Sequence, residues 1–161
     1  MNIRIGFGFD VHPLQDNHPF FLGGIQLPAE KGAAGHSDAD VLIHALCDAL
    51  LGAAGLRDIG FHFPNTDPQW KGKDSKHFLQ EVVRMLEEKN WQVINVDCTV
   101  CLEKPKVNPY IPAMQAVLAG LLKVAQNAVS IKATTNERLG YVGREEGVTA
   151  YAVCLIQHRD L

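Results

Sequence analysis

The sequence has no uninterrupted apolar run of membrane-spanning length. Its longest candidate, residues 41–56, carries His44, Asp48 and Gly52, so it reads as a buried helix. The opening residues do not show the pattern of a secretory leader. Residues 1–6 pass directly into an alternating strand pattern, with no basic region, apolar stretch and cleavage site ahead of it, and export is not expected. Excess positive charge is absent too. With 15 Lys and Arg against 18 Asp and Glu, the formal net charge is −3, so neither nucleic acid nor an anionic membrane is an expected partner. A local phosphate pocket remains open, because it needs only a few backbone amides, a lysine or a metal. Cysteine is sparse: Cys47, Cys98, Cys101 and Cys154 all sit among apolar neighbours and read as reduced core thiols of a cytoplasmic protein. Cys98 and Cys101 have the spacing of half a zinc knuckle, but no second pair follows. Internal repeats and low-complexity tracts are lacking. The glycines of Gly140-Tyr141-Val142-Gly143-Arg144 match neither a dinucleotide fingerprint nor a phosphate-binding P-loop.

What is present is an ordinary globular balance, 47% hydrophobic and 20% charged over 161 residues, which suits a single domain spanning 1–161. Ile3, Ile5, Phe7, Phe9 and Val11 alternate with Arg4, Gly6, Gly8, Asp10 and His12, the period of a strand with one face buried. Pro13 is expected to close that strand. A second extended region over 18–27 is punctuated by Gly23-Gly24, and 28–36 is expected to be loop. Ser37 or Asp38 is the expected cap of a helix running to about residue 54, whose stripe Asp40, His44, Asp48 repeats every fourth residue. Residues 55–73 read as a surface loop, 75–89 and 111–125 as helices, and 91–102, 129–133 and 148–157 as strands. This order predicts an α/β two-layer sandwich, a mixed or antiparallel sheet packed against helices.

Three places carry candidate chemistry. Asp10 and His12 point the same way from their strand, and His44 on an inward helix face could complete a metal site with an open fourth position; a hydrogen-bonded Asp with an ordinary His is the plainer alternative. A ligating His44 would need its second nitrogen satisfied, for which a carboxylate on its stripe is a candidate, though Asp48 also reads as a solvated residue. His36-Ser37-Asp38-Ala39-Asp40 places an imidazole, a hydroxyl and backbone amides at a helix start, suited either to a phosphate or to a plain N-cap. Lys132-Ala133-Thr134-Thr135-Asn136-Glu137 follows a strand end. There threonine hydroxyls could hold a phosphoryl oxygen, and Glu137 a hard divalent cation.

Taken in order, Gly8-Phe9-Asp10-Val11-His12, Gly23-Gly24-Ile25, His36-Ser37-Asp38-Ala39-Asp40, His44-Ala45-Leu46, Asp58-Ile59-Gly60 and Phe63-Pro64-Asn65-Thr66-Asp67-Pro68 form a series of motifs. Pro105-Lys106, Ile111-Pro112-Ala113-Met114, Lys132 through Glu137 and Gly143-Arg144-Glu145-Glu146-Gly147 continue it over nearly the whole chain. The series resembles the 2-C-methyl-D-erythritol 2,4-cyclodiphosphate synthase family. The resemblance implies a homotrimer with active sites at subunit boundaries, and zinc held by Asp10, His12 and His44. It implies that His36 and Ser37 hold the methylerythritol phosphate end, that Asp58 and Gly60 meet the ribose, and that Phe63, Asn65 and Asp67 lie in a mobile loop beside that sugar phosphate. Leu102, Pro105, Lys106 and Asn108 are implied in the cytidine pocket. Thr134, Thr135 and Glu137 match the nucleotide-phosphate site, Glu137 helping to place magnesium or manganese. Tyr141 falls among the substrate-binding segments and Arg144 matches a further phosphate contact, while His36 and Thr135 match positions of transition-state stabilisation.

The implied reaction is metal-dependent attack by the substrate's own 2-phosphate on the β-phosphorus of a cytidine diphosphate, releasing CMP and closing a cyclic diphosphate. The implied setting is the bacterial cytoplasm, or a plastid for a processed organelle form. A metal-dependent phosphohydrolase and a nonenzymatic module binding cytidine nucleotide or isoprenoid diphosphate are the alternatives. The chain departs from the family pattern at Phe7, often histidine, at Asn65, often Asp, at Glu103-Lys104, where smaller or neutral residues occur, and at Tyr151, acidic in some relatives.

Overall fold

The computed structural model describes residues 2–159. In chain order it contains β1 (Ile3–Asp16), β2 (Phe20–Leu22), β3 (Ile25–Leu27), β4 (Lys31–Ala33), α1 (Val41–Ala54), α2 (Ile59–His62) and α3 (Ser75–Glu88). There follow β5 (Trp91–Cys101), α4 (Ile111–Leu122), β6 (Val129–Thr134), α5 (Gly140–Gly143) and β7 (Gly147–His158). Five strands make one mixed sheet in the order β4-β1-β7-β5-β6, antiparallel throughout except for the parallel β5–β6 pair. Helix α1 lies on β1 and β7, α3 packs beside it and against β5, and α4 covers β6. This is the expected two-layer sandwich.

Helix α1 is apolar nearly all round, and only His44, Asp48 and Gly52 escape full burial, so it forms the centre of the core. It approaches β1 closely because the strand presents glycine there. A Cβ on Gly6 would fall 1.9 Å from the Ala49 carbonyl oxygen, and one on Gly8 would fall 1.8 Å from that of Ala45. The strand is one-sided, as its period implies, and the glycine-bearing face is the buried one. Gly6, Gly8, Asp10 and His12 face the helices, whereas Ile3, Ile5, Phe7, Phe9 and Val11 lie on the outer face, with Ile5 71% and Phe7 63% exposed. Tyr151 and Val153 of β7 extend this apolar band, and the Phe9 and Tyr151 rings lie 5.3 Å apart.

Three expected boundaries also differ. Pro13 does not end β1: the strand pairs with β7 as far as Pro13 and then changes partner, Leu14 to Asp16 pairing with β4 inside the expected loop. The cap of α1 is Asp40, not Ser37 or Asp38; its carboxylate accepts from the Ile43 amide at 3.1 Å. The 55–73 segment includes the short helix α2 and a 3-10 turn, Pro68–Trp70, capped by Asp67. The Gly23-Gly24 turn is as expected, both residues adopting positive φ (60° and 81°) that glycine accepts freely.

Candidate metal centre and substrate pockets

Residues Asp10 and His12 leave β1 two positions apart on the helix-facing side, and His44 descends from α1 between them. Their ligand atoms form a nearly equilateral triangle: Asp10 Oδ2 is 3.0 Å from His12 Nε2 and 3.1 Å from His44 Nδ1, and the two nitrogens are 3.1 Å apart. Four ligands around zinc at about 2.0 Å would stand about 3.3 Å from one another. The triangle therefore has the size of one tetrahedral face, and it is the group of potential metal ligands found among the described residues.

Electrostatics agree. Burial pushes the Asp10 carboxyl up, yet the hydrogen bonds and charge of His12 and His44 hold it down, to about 2. Burial lowers the His44 imidazole, but Asp10 outweighs it and the net shift is upward. Both shifts express one attraction for positive charge between the three atoms.

The far side of the His44 ring is tied to α3. Ser75 Oγ donates to Asp38 Oδ1, which leaves its lone pair to accept from His44 Nε2 at 2.8 Å. Asp38 is itself anchored by the Ser75 amide at 2.9 Å. Ser37 Oγ stands 3.2 Å from the same nitrogen, and together these contacts direct the proton of neutral His44 to Nε2 and the lone pair of Nδ1 toward the triangle, the usual way in which outer partners orient a ligating imidazole. The partner is not a carboxylate of the His44 stripe, as the spacing had suggested. Asp40 is fully buried and accepts from the amides of Gly23 (3.0 Å), Gly24 (2.7 Å) and Ile43, while Asp48 is half-buried and accepts from the Ile59 amide at 2.7 Å. The duties of Ser75, Gly6 and Gly8 were missed because, in sequence, a serine at a helix start and glycines in a strand carry no sign of what they touch.

The triangle opens into a cleft of about 520 Å³ lined by His12, His36, Ser37, His44, Gly60, Phe63 and Asn65 among others. Phe63, Trp70 and Phe78 form its aromatic wall, with ring centroids 5.0 to 5.7 Å apart. Within the 36–40 segment Asp38 N donates to the Lys73 carbonyl (3.2 Å), Ala39 N to Ser37 Oγ (3.3 Å) and Asp40 N to Asp38 Oδ1 (3.2 Å). Asp58 caps α2 through the Phe61 amide at 2.9 Å. Asp67 binds Gln69 and stands at the edge of the cleft, its carbonyl 3.4 Å from His36 Nε2.

A second pocket, of about 270 Å³, is lined by Leu102, Glu103, Pro105, Lys106, Asn108, Thr134 and Thr135 with their neighbours, and shares no lining residue with the first. Glu137 is exposed beside it, its carboxylate 3.4 Å from Thr135 Oγ1. Tyr141 Oη pairs with Thr149 Oγ1 at 2.7 Å, and Arg144 pairs with Glu146 at 3.0 Å. The sheet register separates the two groups. Asp10, Ala150, Val100 and Ala133 lie in one row facing the helices, and Val11, Thr149, Cys101 and Thr134 in the next row facing away. Thr134 is thus three strand spacings, roughly 14 Å, from the β1 ligands and on the opposite side of the sheet.

Residues 3–157 match the model of the YgbB family. The chain belongs to that family. A relative, the 2-C-methyl-D-erythritol 2,4-cyclodiphosphate synthase of Cytophaga hutchinsonii, is 62% identical over 97% of this chain and 98% of its own length. Among solved structures, the bifunctional IspDF of Campylobacter jejuni is 39% identical with a TM-score of 0.93; the match covers 97% of this chain and 42% of that one. A 2C-methyl-D-erythritol-2,4-cyclodiphosphate synthase in its CDP-bound form is 38% identical, with a TM-score of 0.89 over 96% of this chain and 100% of that one. The three cysteines of the inner sheet and α1, Cys47, Cys98 and Cys154, are buried free thiols, and Cys101 is partly exposed. No helix among the described residues is long and apolar enough to cross a membrane.

Proposed function

We propose that the chain converts 4-diphosphocytidyl-2-C-methyl-D-erythritol 2-phosphate to 2-C-methyl-D-erythritol 2,4-cyclodiphosphate and CMP. An oxygen of the substrate's 2-phosphate forms a bond to the β-phosphorus, the bond from that phosphorus to the bridging oxygen breaks, and CMP leaves with the electron pair. The observation that carries this reading is the Asp10, His12, His44 triangle opening into the large cleft of a YgbB-family chain. Zinc suits its mixed oxygen and nitrogen donors and its edge lengths, and when bound there supplies a Lewis acid that polarises a phosphoryl oxygen.

The residues do the remaining work by position. His36 and Ser37, at the mouth of the cleft, hold and orient the attacking phosphate, with Asp58, Gly60, Phe63, Asn65 and Asp67 around the sugar. Leu102, Pro105, Lys106 and Asn108 take the cytosine, Thr134 and Thr135 the nucleotide phosphates, Tyr141 and Arg144 further substrate contacts, and Glu137 a magnesium or manganese ion. Because the nucleophile is already attached to the substrate, no protein nucleophile is required, and fixing both ends removes much of the entropic barrier.

Assembly as a homotrimer belongs to the same proposal. The outer band of Ile5, Phe7, Phe9, Val11, Tyr151 and Val153 is an apolar patch that a second copy would cover. The two pockets share no lining residue, and Thr134 lies three strand spacings, roughly 14 Å, from the β1 ligands, so a site built at a subunit boundary would join the metal half of one chain to the nucleotide half of another. A single domain spanning the chain and a cytoplasmic location, in keeping with its free thiols, complete the reading.

The test is turnover of the cytidine substrate with zinc and magnesium, both products being weighed by mass spectrometry in ¹⁸O-water. CMP plus a cyclic product free of solvent oxygen is expected. Linear products carrying solvent oxygen would make the protein a phosphohydrolase, and binding without turnover would make it a binding module.

A further inference from the structure

Strands β5 and β6 run parallel, so both chains leave the sheet at the same edge, Cys101 beside Thr134, with the Leu102 amide donating to the Thr134 carbonyl at 3.0 Å. Residues of 102–108 form one wall of the pocket and 133–135 the other, with the 136–138 turn following directly. One side chain ties them together. Glu103, half-buried, turns its Oε1 across the gap and accepts from the Asn136 amide at 2.9 Å and from the Arg138 amide at 3.3 Å.

The backbone on the receiving side is unusual. Glu137 and Arg138 both adopt left-handed φ (51° and 64°), a conformation that L-residues with side chains visit reluctantly. Successive amides in such a turn point into one concavity that favours an anion. Here the chain's own carboxylate fills it. The amide between the two, that of Glu137, turns instead to Thr135 Oγ1 at 3.4 Å, and the same hydroxyl reaches the Glu137 carboxylate. The direction in which Thr135 and Glu137 present their side chains is therefore set by a turn whose shape Glu103 holds.

We propose that Glu103 is a positioning residue for the nucleotide end of the site: it locks the 135–138 turn to the 103–108 wall, so that base pocket and phosphate loop form one preorganised surface. The inference rests on the cytidine-nucleotide reading above, and goes beyond it by giving a role to a pocket residue whose Oε1 is engaged by backbone amides. What the role needs is an acceptor oxygen at Oε1. A glutamine can supply one, and an alanine cannot.

The experiment compares Glu103→Ala, Glu103→Gln and the parent protein, each with its zinc content checked, by amide hydrogen exchange at Asn136 and Arg138, by CMP affinity, and by the split between KM and kcat. In Glu103→Ala, exchange at both amides should rise at least about tenfold, and CMP affinity should fall about tenfold, the cost of roughly one net hydrogen bond to a charged group. KM should rise more than kcat falls, and zinc content should stay unchanged. Glu103→Gln should recover most of each effect. Unchanged exchange in Glu103→Ala, faster exchange with parental CMP binding, or a glutamine variant as impaired as the alanine one would each overturn the proposal. If the parent protein itself binds no CMP, the functional reading fails, and the exchange measurement still decides what Glu103 holds.

Discussion

Gly8 lies directly beneath Ala45, so close that a Cβ on the glycine would stand 1.8 Å from the Ala45 carbonyl oxygen and 2.7 Å from the Ala49 amide nitrogen. This contact sets the depth at which α1 rests on β1, and with it the distance from His44 to Asp10 and His12. Gly8→Ala should lift the helix, destabilise the fold by about 3 kcal/mol and lower bound zinc. Gly52 on the outer side of the same helix is the control: a Cβ there meets nothing within 4 Å, and Gly52→Ala should stabilise by about 0.5–1 kcal/mol. Chemical denaturation and zinc analysis of the two variants check both halves.

The Ser75 hydroxyl accepts from His44 Nε2 and donates to Asp38, and, with Ser37 Oγ 3.2 Å from the same nitrogen, it fixes which nitrogen offers a lone pair. Ser75→Ala should weaken zinc binding about 10–100-fold while the ligands remain in place. His44→Ala should remove zinc and turnover altogether in a protein that still folds. Competition titration with a chelator reads the first effect. Unchanged zinc stoichiometry in His44→Ala would reject the ligand assignment.

The alternation in residues 3–12 was legible as a strand, and Asp10 and His12 as neighbours on one side of it, because a period of two is fixed by backbone geometry. Which side is buried was not. Alternation alone does not say which face packs inside; here the glycines mark where a helix backbone comes closest, and the apolar face is left outside. His44 was legible as a ligand candidate from its place on an inward stripe. Its outer partner was not, since Ser75 lies 31 residues away and sequence spacing reports only neighbours within one helix. The cap of α1 was misplaced for a related reason: Asp40 serves the helix and the Gly23-Gly24 turn at once, and that second duty is tertiary.

Asp40 holds three amides from two elements in a fully buried position. Asp40→Ala should leave all three unsatisfied and cost about 4 kcal/mol, each orphaned donor contributing roughly 1–3 kcal/mol less whatever local relaxation recovers. Asp40→Asn, which retains a carbonyl oxygen, should cost less. Urea denaturation of the pair would show the order, and an alanine variant as stable as the parent would mean that water replaces the carboxylate.

Burial pushes the Cys98 and Cys154 thiols up from an ordinary 9.0 to about 12. Between those values the unfolded chain has lost these protons and the folded chain keeps them, so raising the pH favours unfolding. Stability should hold below pH 9 and fall above it, by up to about 1.4 kcal/mol per pH unit for each thiol. Cys98→Ala should flatten the curve. Denaturation midpoints collected from pH 8 upward provide the measurement.

The metal-ligand triangle and the 134–135 segment stand three strands apart in one sheet, and this has a genetic consequence under the boundary-site proposal. Two inactive chains, one His44→Ala and the other Thr135→Ala, each keep the half that the other has lost. Refolded together in equal amounts, they should regenerate about a quarter of the parental activity, the share of boundaries at which two sound halves meet by chance. Refolded apart, neither should regain any.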